Sequence, residues 1–121
     1  MPHRTRVLLC CVALMCLGVP AAATAGGPTA TAAKRCETVK YPGSGYFTSL
    51  RVTGVSCGKG RKVMRGHYDC RIEDGRKGRC HRRVQRFRCS EDRRSIPTEF
   101  LSRVTCKRGA KRVVYTYQQN T

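Results

Sequence analysis

Two short segments carry side chains that could bind a metal ion or move a proton: His67 with Cys70, and Cys80 with His81. Imidazole and thiolate groups are common zinc ligands, and two histidines can act as base and acid in RNA cleavage. Adjacent Cys80 and His81 cannot easily both turn toward one ion, and no spacing defines the two histidines as a pair. We therefore predict no metal, no cofactor and no catalytic residue, and keep a secreted ribonuclease as the weaker alternative.

The compartment decides what the cysteines do, and the first 25 residues are typical of a secretory signal. Arg4 and Arg6 precede an apolar run from Val7 to Val19, and small residues follow. Ala23-Thr24-Ala25 predicts cleavage after Ala25, with residues 30–32 as an alternative site. The apolar run has 13 residues, fewer than the roughly 20 that span a bilayer. We therefore expect a secreted protein without a membrane-spanning segment after cleavage.

Removal of the signal changes the cysteine count from nine to six, because Cys10, Cys11 and Cys16 leave with it. Six cysteines in an oxidising compartment predict three disulfides. Sequence alone leaves all pairings open. Our physical guess joins a helix to its facing strand, closes a charged turn and ties the N-terminus to a C-terminal hairpin. The guessed pairs are Cys57–Cys89, Cys70–Cys80 and Cys36–Cys106.

Residues 26–35 lack apolar periodicity and predict a flexible leader, so the domain is expected to comprise residues 36–121. Two interpretations of the segment from Ser56 to Cys70 are open. Ser56 can cap a helix with an inner apolar stripe, whereas Gly58-Lys59-Gly60 can form a turn before a second strand. We favour the helix, although each glycine in it costs up to about 1 kcal/mol relative to alanine.

Strands are predicted wherever apolar and polar side chains alternate. In one of them Phe87 and Cys89 are expected to face inward and the arginines outward, and the charged stretch before Pro97 is expected to be a loop. The predicted strands lie within residues 46–57, 84–89, 100–106 and 112–117. The predicted fold is α+β: one helix packed on a small antiparallel sheet of three or four strands, held by three disulfides. Because large apolar residues are few, the disulfides are expected to supply much of the stability.

Several segments together form a recognisable pattern. They are Ser56-Cys57, Arg61, Val63, Cys70, Cys80, residues 84–89, Val104-Thr105-Cys106, Gly109, Val113 and Tyr115. The pattern resembles small Arg-rich secreted proteins of actinobacteria, in which a signal peptide precedes a domain with a Ser-Cys-x-x-Ala helix start and a Gly-Phe-x-Cys strand. Gly60 and Arg86 replace the alanine and the first glycine here. The resemblance covers roughly residues 46–117 and implies secretion and a helix on a sheet, but no activity and no site residue.

Positive charge is the strongest remaining feature: 25 Lys and Arg against seven acidic residues give a net charge of +18. Removal of the signal takes two arginines and leaves +16. Arginine presents a planar fork that matches phosphate, sulfate and carboxylate oxygens. A shared anion-binding face is predicted for Arg79, Arg82, Arg83, Arg86 and Arg88. We therefore predict a secreted, monomeric, non-catalytic domain that binds anionic polymers, namely nucleic acid, cell-wall polymers or lipid head groups.

Other classes of function stay open. A disulfide-rich inhibitor or effector would contact a protein partner through residues 95–99 or 41–46, since a rigid framework loses little entropy when its loop binds. A membrane-active defence protein fits the charge, but the sequence shows no continuous amphipathic helix with a wide apolar face. The arginines could also serve solubility alone.

Mass spectrometry of the secreted protein tests the expected processing. The chain should begin at Gly26 and weigh about 6 Da less than its reduced form, since each of three disulfides removes two hydrogens. Six free thiols would contradict the disulfide prediction, and a secreted chain that keeps residues 1–25 would contradict the predicted cleavage.

Overall fold

The computed structural model describes residues 26–27 and 30–121, so the predicted signal peptide and its three cysteines lie outside the described residues. The described chain contains one helix and five strands. Their bounds are β1 Lys34–Cys36, β2 Gly45–Thr53, α1 Cys57–Ile72, β3 Arg88–Ile96, β4 Glu99–Arg108 and β5 Lys111–Asn120. All strands pair antiparallel in one sheet of order β1-β2-β5-β4-β3. The α+β class is confirmed, but the sheet has five strands and not three or four.

The helix predicted after Ser56 is present, and the alternative of a glycine turn before a strand is wrong. The Ser56 Oγ accepts a hydrogen bond from the backbone N–H of Lys59 at 3.1 Å, which satisfies a donor that the first helical turn leaves free. The inner stripe of α1 includes Val63, Met64 and His67, all buried. No helix in the part of the chain that the structure describes is long and apolar enough to cross a membrane.

One face of the sheet forms the core against α1. Side chains alternate between the two faces along a strand, and directly paired residues of neighbouring strands share a face. The buried face is mainly aromatic and β-branched, which suits a pleated surface. Its inward residues on the three central strands are Phe47, Leu50, Val52, Phe100, Val104, Cys106, Val113, Tyr115 and Tyr117.

The charged segment before Pro97 is a strand, although its composition predicts a loop. β3 pairs along its whole length with β4, and every second residue from Cys89 to Arg93 faces the helix side, as its β4 partner does. Because charged residues occupy both faces, the segment has no hydrophobic period, and that absence conceals the strand in the sequence.

Residues 84–87 form a tight turn, whereas the sequence predicts a strand over residues 84–89. The backbone N–H groups of Val84 and Phe87 each donate to the other's carbonyl, at 2.9 and 2.8 Å. Between them Gln85 and Arg86 have φ values of 48° and 70°, the left-handed backbone of a two-residue hairpin loop. Phe87 is buried as expected, and Val84 at the other end of the turn is buried too.

The disulfides join Cys36 to Cys57, Cys70 to Cys80 and Cys89 to Cys106. The second pair agrees with the guess, whereas the guessed pairs Cys57–Cys89 and Cys36–Cys106 are wrong. Cys89 and Cys106 are directly opposite on β3 and β4, so they pair with each other. β3 and β1 are opposite edges of the sheet, and the start of α1 lies against β1 through the Cys36–Cys57 bond.

The sheet begins earlier than the predicted domain start. Lys34 and Arg35 belong to the predicted flexible leader, yet they pair with Val52 and Arg51 as the first two residues of β1. The disulfide at the next residue, Cys36, holds this three-residue strand against the rest of the domain.

A glycine in α1 lets the helix lie close to β2. A Cβ at Gly60 would lie 2.5 Å from Cγ1 of Val52 and 3.6 Å from Cδ1 of Leu50. Gly60→Ala should lower the free energy of unfolding in urea by about 1–3 kcal/mol, as overpacking does, despite the better helix propensity of alanine. Gly58→Ala is the control, because a Cβ there meets only Ser56 Oγ, at 3.8 Å. A Gly60→Ala protein as stable as the control would contradict the close packing.

Candidate anion-binding surface

The five arginines predicted to share a face lie on three different elements. Arg79, Arg82 and Arg83 are in the connection between α1 and β3, Arg86 is in the tight turn, and Arg88 begins β3; all five are exposed. Arg82 forms an ion pair with a glutamate of the same connection. Arg79 and Arg83 donate to backbone carbonyls at 3.4 Å. Only Arg88 lies on the sheet face that α1 leaves uncovered.

The four residues considered for zinc binding and RNA cleavage do not form one site. Cys70 and Cys80 form a disulfide, and the described residues contain no group of three His, Cys, Asp or Glu side chains arranged to hold a metal ion. His81 is exposed, whereas His67 is buried and its Nδ1 is hydrogen-bonded to the hydroxyl of Tyr115. Burial lowers the pKa of His67 to about 4, so the ring is neutral at pH 7.

The two loops considered for protein contact also differ. Residues 95–99 include the end of β3, a two-residue turn and the start of β4, and Ile96 in β3 is 58% exposed. In residues 41–46 the ring of Tyr41 is buried against Phe47 and Tyr68, with ring centroids 4.9 and 5.1 Å away. That loop is therefore anchored by its first residue.

A buried ion pair connects β3 to the core. The Glu91 Oε1 accepts hydrogen bonds from Nε and Nη2 of Arg93, at 3.0 and 2.9 Å, from the Ser102 hydroxyl at 2.7 Å, and from the Tyr117 hydroxyl. Burial raises the pKa of the Glu91 carboxyl, but the hydrogen bonds from Tyr117, Ser102 and Arg93 outweigh burial and lower that pKa overall. The ionised carboxylate is therefore stable inside the domain.

A second buried cation has no carboxylate beside it. The Arg71 Nη2 donates to the hydroxyl of Tyr41 and to Oε1 of Gln119, each at 2.7 Å, and Nη1 donates to the carbonyl of Arg76 at 3.1 Å. Its guanidinium lies 4.8 Å from the centroid of the Tyr117 ring, close enough for a cation–π interaction. Burial raises the pKa of Tyr41 to about 12, so its hydroxyl stays protonated. These groups connect α1, β5 and the connection after the helix in the interior of the domain.

The side of the sheet that faces away from α1, which we call the open face, carries most of the charged side chains of the five strands. Its residues are those that alternate with the buried ones, and they form a flat surface across all five strands. Two acidic residues, Asp92 and Glu99, lie on it. The seven basic residues of the open face are Arg35, Arg51, Arg88, Arg94, Arg103, Lys107 and Arg112.

Several of these cations are directly opposite one another on neighbouring strands. Arg35 pairs with Arg51, and Lys107 pairs with both Arg88 and Arg112. Like charges in this position destabilise a sheet. Across the described residues, ion pairs within 4 Å form only at Arg82 and Arg93, so none of the seven cations of the open face has an ion-pair partner in the described structure.

The open face also has shallow cavities, two of which adjoin each other. One, of about 230 Å³, is lined by Arg35, Ser49, Arg51, Arg103, Val114 and Thr116; we call it the arginine cavity. The other, of about 440 Å³, shares Arg103 and Thr116 and is lined further by Asp92 and Leu101, among others. Leu101 is half exposed and Tyr46, on the same face, is 65% exposed.

Sequence reasoning missed this surface because its residues are far apart along the chain. Arg51 and Arg103 each stand alone between inward-facing residues of β2 and β4, and Arg112 lies near the start of β5, after Lys111. The available signal was the alternation itself: an arginine at the outward position of every predicted strand. Charge density along the sequence pointed instead to the connection before β3.

Comparisons with models of protein families, with curated proteins and with solved structures find no match to this chain.

The buried His67 predicts a loss of stability in mild acid. Its pKa is about 4 in the folded protein and about 6.5 when unfolded, so its contribution is complete above pH 6.5 and is lost as the pH falls toward 4. Urea unfolding should show about 2 kcal/mol less stability at pH 5 than at pH 7.5, while Glu91 stays ionised.

His67→Gln should remove most of this dependence, since the amide oxygen can still accept from Tyr115 and does not titrate. His81→Gln is the matched control, because His81 is exposed, and it should keep the dependence of the parent protein. An unchanged pH dependence in His67→Gln would contradict the assignment.

Proposed function

We propose that this protein is a secreted, non-catalytic domain that binds anionic polymers through the open face. The observation that carries the proposal is the pairing of cations across strands, Arg35 with Arg51 and Lys107 with Arg88 and Arg112. The cations at these positions repel one another, which destabilises the sheet. An anion lying across the strands would attract both members of each pair and offset this repulsion.

The extent of the surface favours a polymer over a small anion. Five strands at about 4.8 Å spacing make the open face roughly 19 Å wide, and cations occur on β1, β2, β3, β4 and β5 alike. A single small anion contacts only a fraction of such an area, whereas a chain of repeated negative charges can contact several cations at once. Nucleic acid, cell-wall polymers and a layer of anionic lipid head groups all supply repeated charges of this kind.

The edges of the surface are held rigid by disulfides. Arg35 and Arg88 lie on the two edge strands, and each directly precedes a disulfide-bonded cysteine, Cys36 and Cys89. Edge strands have only one neighbour and are the first to fray. The covalent links reduce the ordering cost of binding, because the outermost cations are already in place.

Two triple variants separate the open face from the cluster predicted in the sequence. The open-face variant is Arg51→Gln, Arg103→Gln and Arg112→Gln; the control variant is Arg79→Gln, Arg82→Gln and Arg83→Gln. Both remove three charges, so net charge alone predicts equal effects. Duplex DNA and heparin are titrated with each protein at several salt concentrations, and thermal unfolding verifies that each variant is folded.

With about six phosphates contacted, the affinity of the parent protein for DNA should fall about a thousandfold between 50 and 200 mM salt. The open-face variant should reduce the slope of log affinity against log salt by about 2–3, and the control variant should change it much less. Equal effects would mean that net charge or the connection before β3 governs binding. Absence of polymer binding by the parent protein at low salt would refute the proposal.

A further inference from the structure

An irregularity in β2 gathers three hydroxyl groups on the open face. The register with β5 shifts between Phe47 and Ser49, which inserts an extra residue, Thr48. Both Thr48 Oγ1 and Ser49 Oγ then lie 2.6 Å from the same atom, Oγ1 of Thr116 on β5. Bulges of this kind redirect side chains and are frequent beside binding sites.

The hydrogen count of this cluster leaves a donor free. Three hydroxyls supply three O–H donors, and the two hydrogen bonds that meet at Thr116 use two of them. The third O–H has no acceptor within the cluster. It is available to an acceptor atom that enters from the open side, where Ser49 and Thr116 line the arginine cavity.

Three arginine residues line the same cavity. Arg35, Arg51 and Arg103 come from β1, β2 and β4, and no carboxylate is among the residues that line it. Within the described chain, arginine side chains that make hydrogen bonds belong to other positions, namely residues 71, 76, 79, 82, 83 and 93. The forks of the three cavity arginines therefore keep their full donor capacity for a ligand.

Acidic groups line the cavities on either side of the arginine cavity but not the arginine cavity itself. Glu37 lines a cavity that shares Arg35 and Ser49 with it. Asp92 on β3 is directly opposite Arg103 and lines the larger cavity. It is absent from the lining of the arginine cavity, and the two side chains form no ion pair within 4 Å in the described structure. Arg103 is therefore available to a ligand in the arginine cavity.

We propose that the arginine cavity is a specific site for a tetrahedral oxyanion, the phosphate or sulfate group of the polymer bound by the open face; the proposal rests on the proposed function. Donors converge on the cavity from three strands and from the hydroxyl cluster. A phosphate or sulfate group presents oxygens in several directions, and each arginine fork can contact two of them. A carboxylate has two oxygens in one plane and fits such a set of donors less well.

Thermal unfolding with inorganic anions tests the site without any polymer. Sodium phosphate and sodium sulfate are compared with sodium acetate and sodium chloride at matched ionic strength. A ligand that binds only the folded state stabilises it by RT ln(1 + [L]/Kd), so the rise in unfolding temperature with anion concentration gives an apparent Kd. Phosphate or sulfate should raise the unfolding temperature of the parent protein more than acetate or chloride does, and the tetrahedral anion with the lower apparent Kd identifies the chemistry of the polymer's charged group. Exclusion of phosphate and sulfate from the protein surface stabilises every variant alike, so the contribution of the site is the part that a cavity variant loses.

Arg51→Gln and Thr116→Val change the site, and Arg112→Gln is the matched control on the same face outside the cavity. Arg51→Gln should weaken the apparent affinity for the tetrahedral anion at least about tenfold, as expected for a charge-assisted hydrogen bond. Thr116→Val should weaken it several-fold at unchanged net charge, and Arg112→Gln should leave it nearly unchanged. The unfolding temperature of each variant in chloride shows that it is folded.

The outcomes separate this inference from the proposed function. Equal stabilisation in Arg51→Gln and Arg112→Gln, or equal effects of phosphate, sulfate and acetate, would overturn the site while polymer binding by the open face could still be observed in the salt series. Stabilisation by the tetrahedral anion that Arg51→Gln reduces and Arg112→Gln keeps would support the site. If the salt series shows no polymer binding, the proposed function fails on its own measurement.

Discussion

A single helix of 16 residues packs on the buried side of a five-stranded sheet in the described domain. One helix is too narrow to cover all five strands, and most other features of the domain follow from this constraint. α1 packs mainly along β2 and β5. The side of the sheet formed by β3 and β4 is covered by the connection after the helix, whose backbone brings polar carbonyl groups with it. Buried backbone carbonyls need hydrogen-bond donors, and this domain supplies them from arginine and glutamine side chains. Arg93 donates to the carbonyls of Lys77 and Gly78 at 2.8 and 3.0 Å, and Arg71 and Gln119 both donate to Arg76.

Arginine therefore has two separate structural roles in one small domain. Inside, Arg71 and Arg93 are nearly inaccessible, and they are stabilised by Glu91, by carbonyls and by the faces of aromatic rings, with the Arg93 guanidinium 4.2 Å from the centroid of Phe100. Outside, the arginines of the open face have neither rings nor carboxylates as partners. The contrast matters for function because it separates the cations that the fold requires from those that are available to a ligand.

Local signals in the sequence are sufficient for part of this structure. Ser56 predicts the helix start through its capping oxygen, and the alternation of Val104, Cys106, Val113 and Tyr115 predicts the hairpin of β4 and β5. The rest depends on information that no segment contains by itself. The inward-facing Glu91 is stabilised by the charge of Arg93 and by a hydrogen bond from the hydroxyl of Tyr117, which lies 26 residues away.

The candidate site shows the same limit more strongly. Arg35, Arg51 and Arg103 become neighbours through the strand order, which places β5 between β2 and β4. The strand order also determines the disulfide pairing, because it places Cys89 at one edge of the sheet and Cys57 beside the other edge. Sequence-local charge density favoured the connection before β3, where the arginines mostly contact the protein itself. The net positive charge was evident from composition, but its arrangement required the register of all five strands.

The charges of β3 have one more consequence. β3 is an edge of the sheet, nine residues long, and an exposed edge of that length is a template on which another chain can add a strand. Arg88, Asp92 and Arg94 alternate along it with the ion pair of Glu91 and Arg93. Charged side chains along an edge strand are one of the features by which proteins discourage such strand addition. The composition that conceals this strand in the sequence thus also disfavours strand addition along the longer of the sheet's two edges.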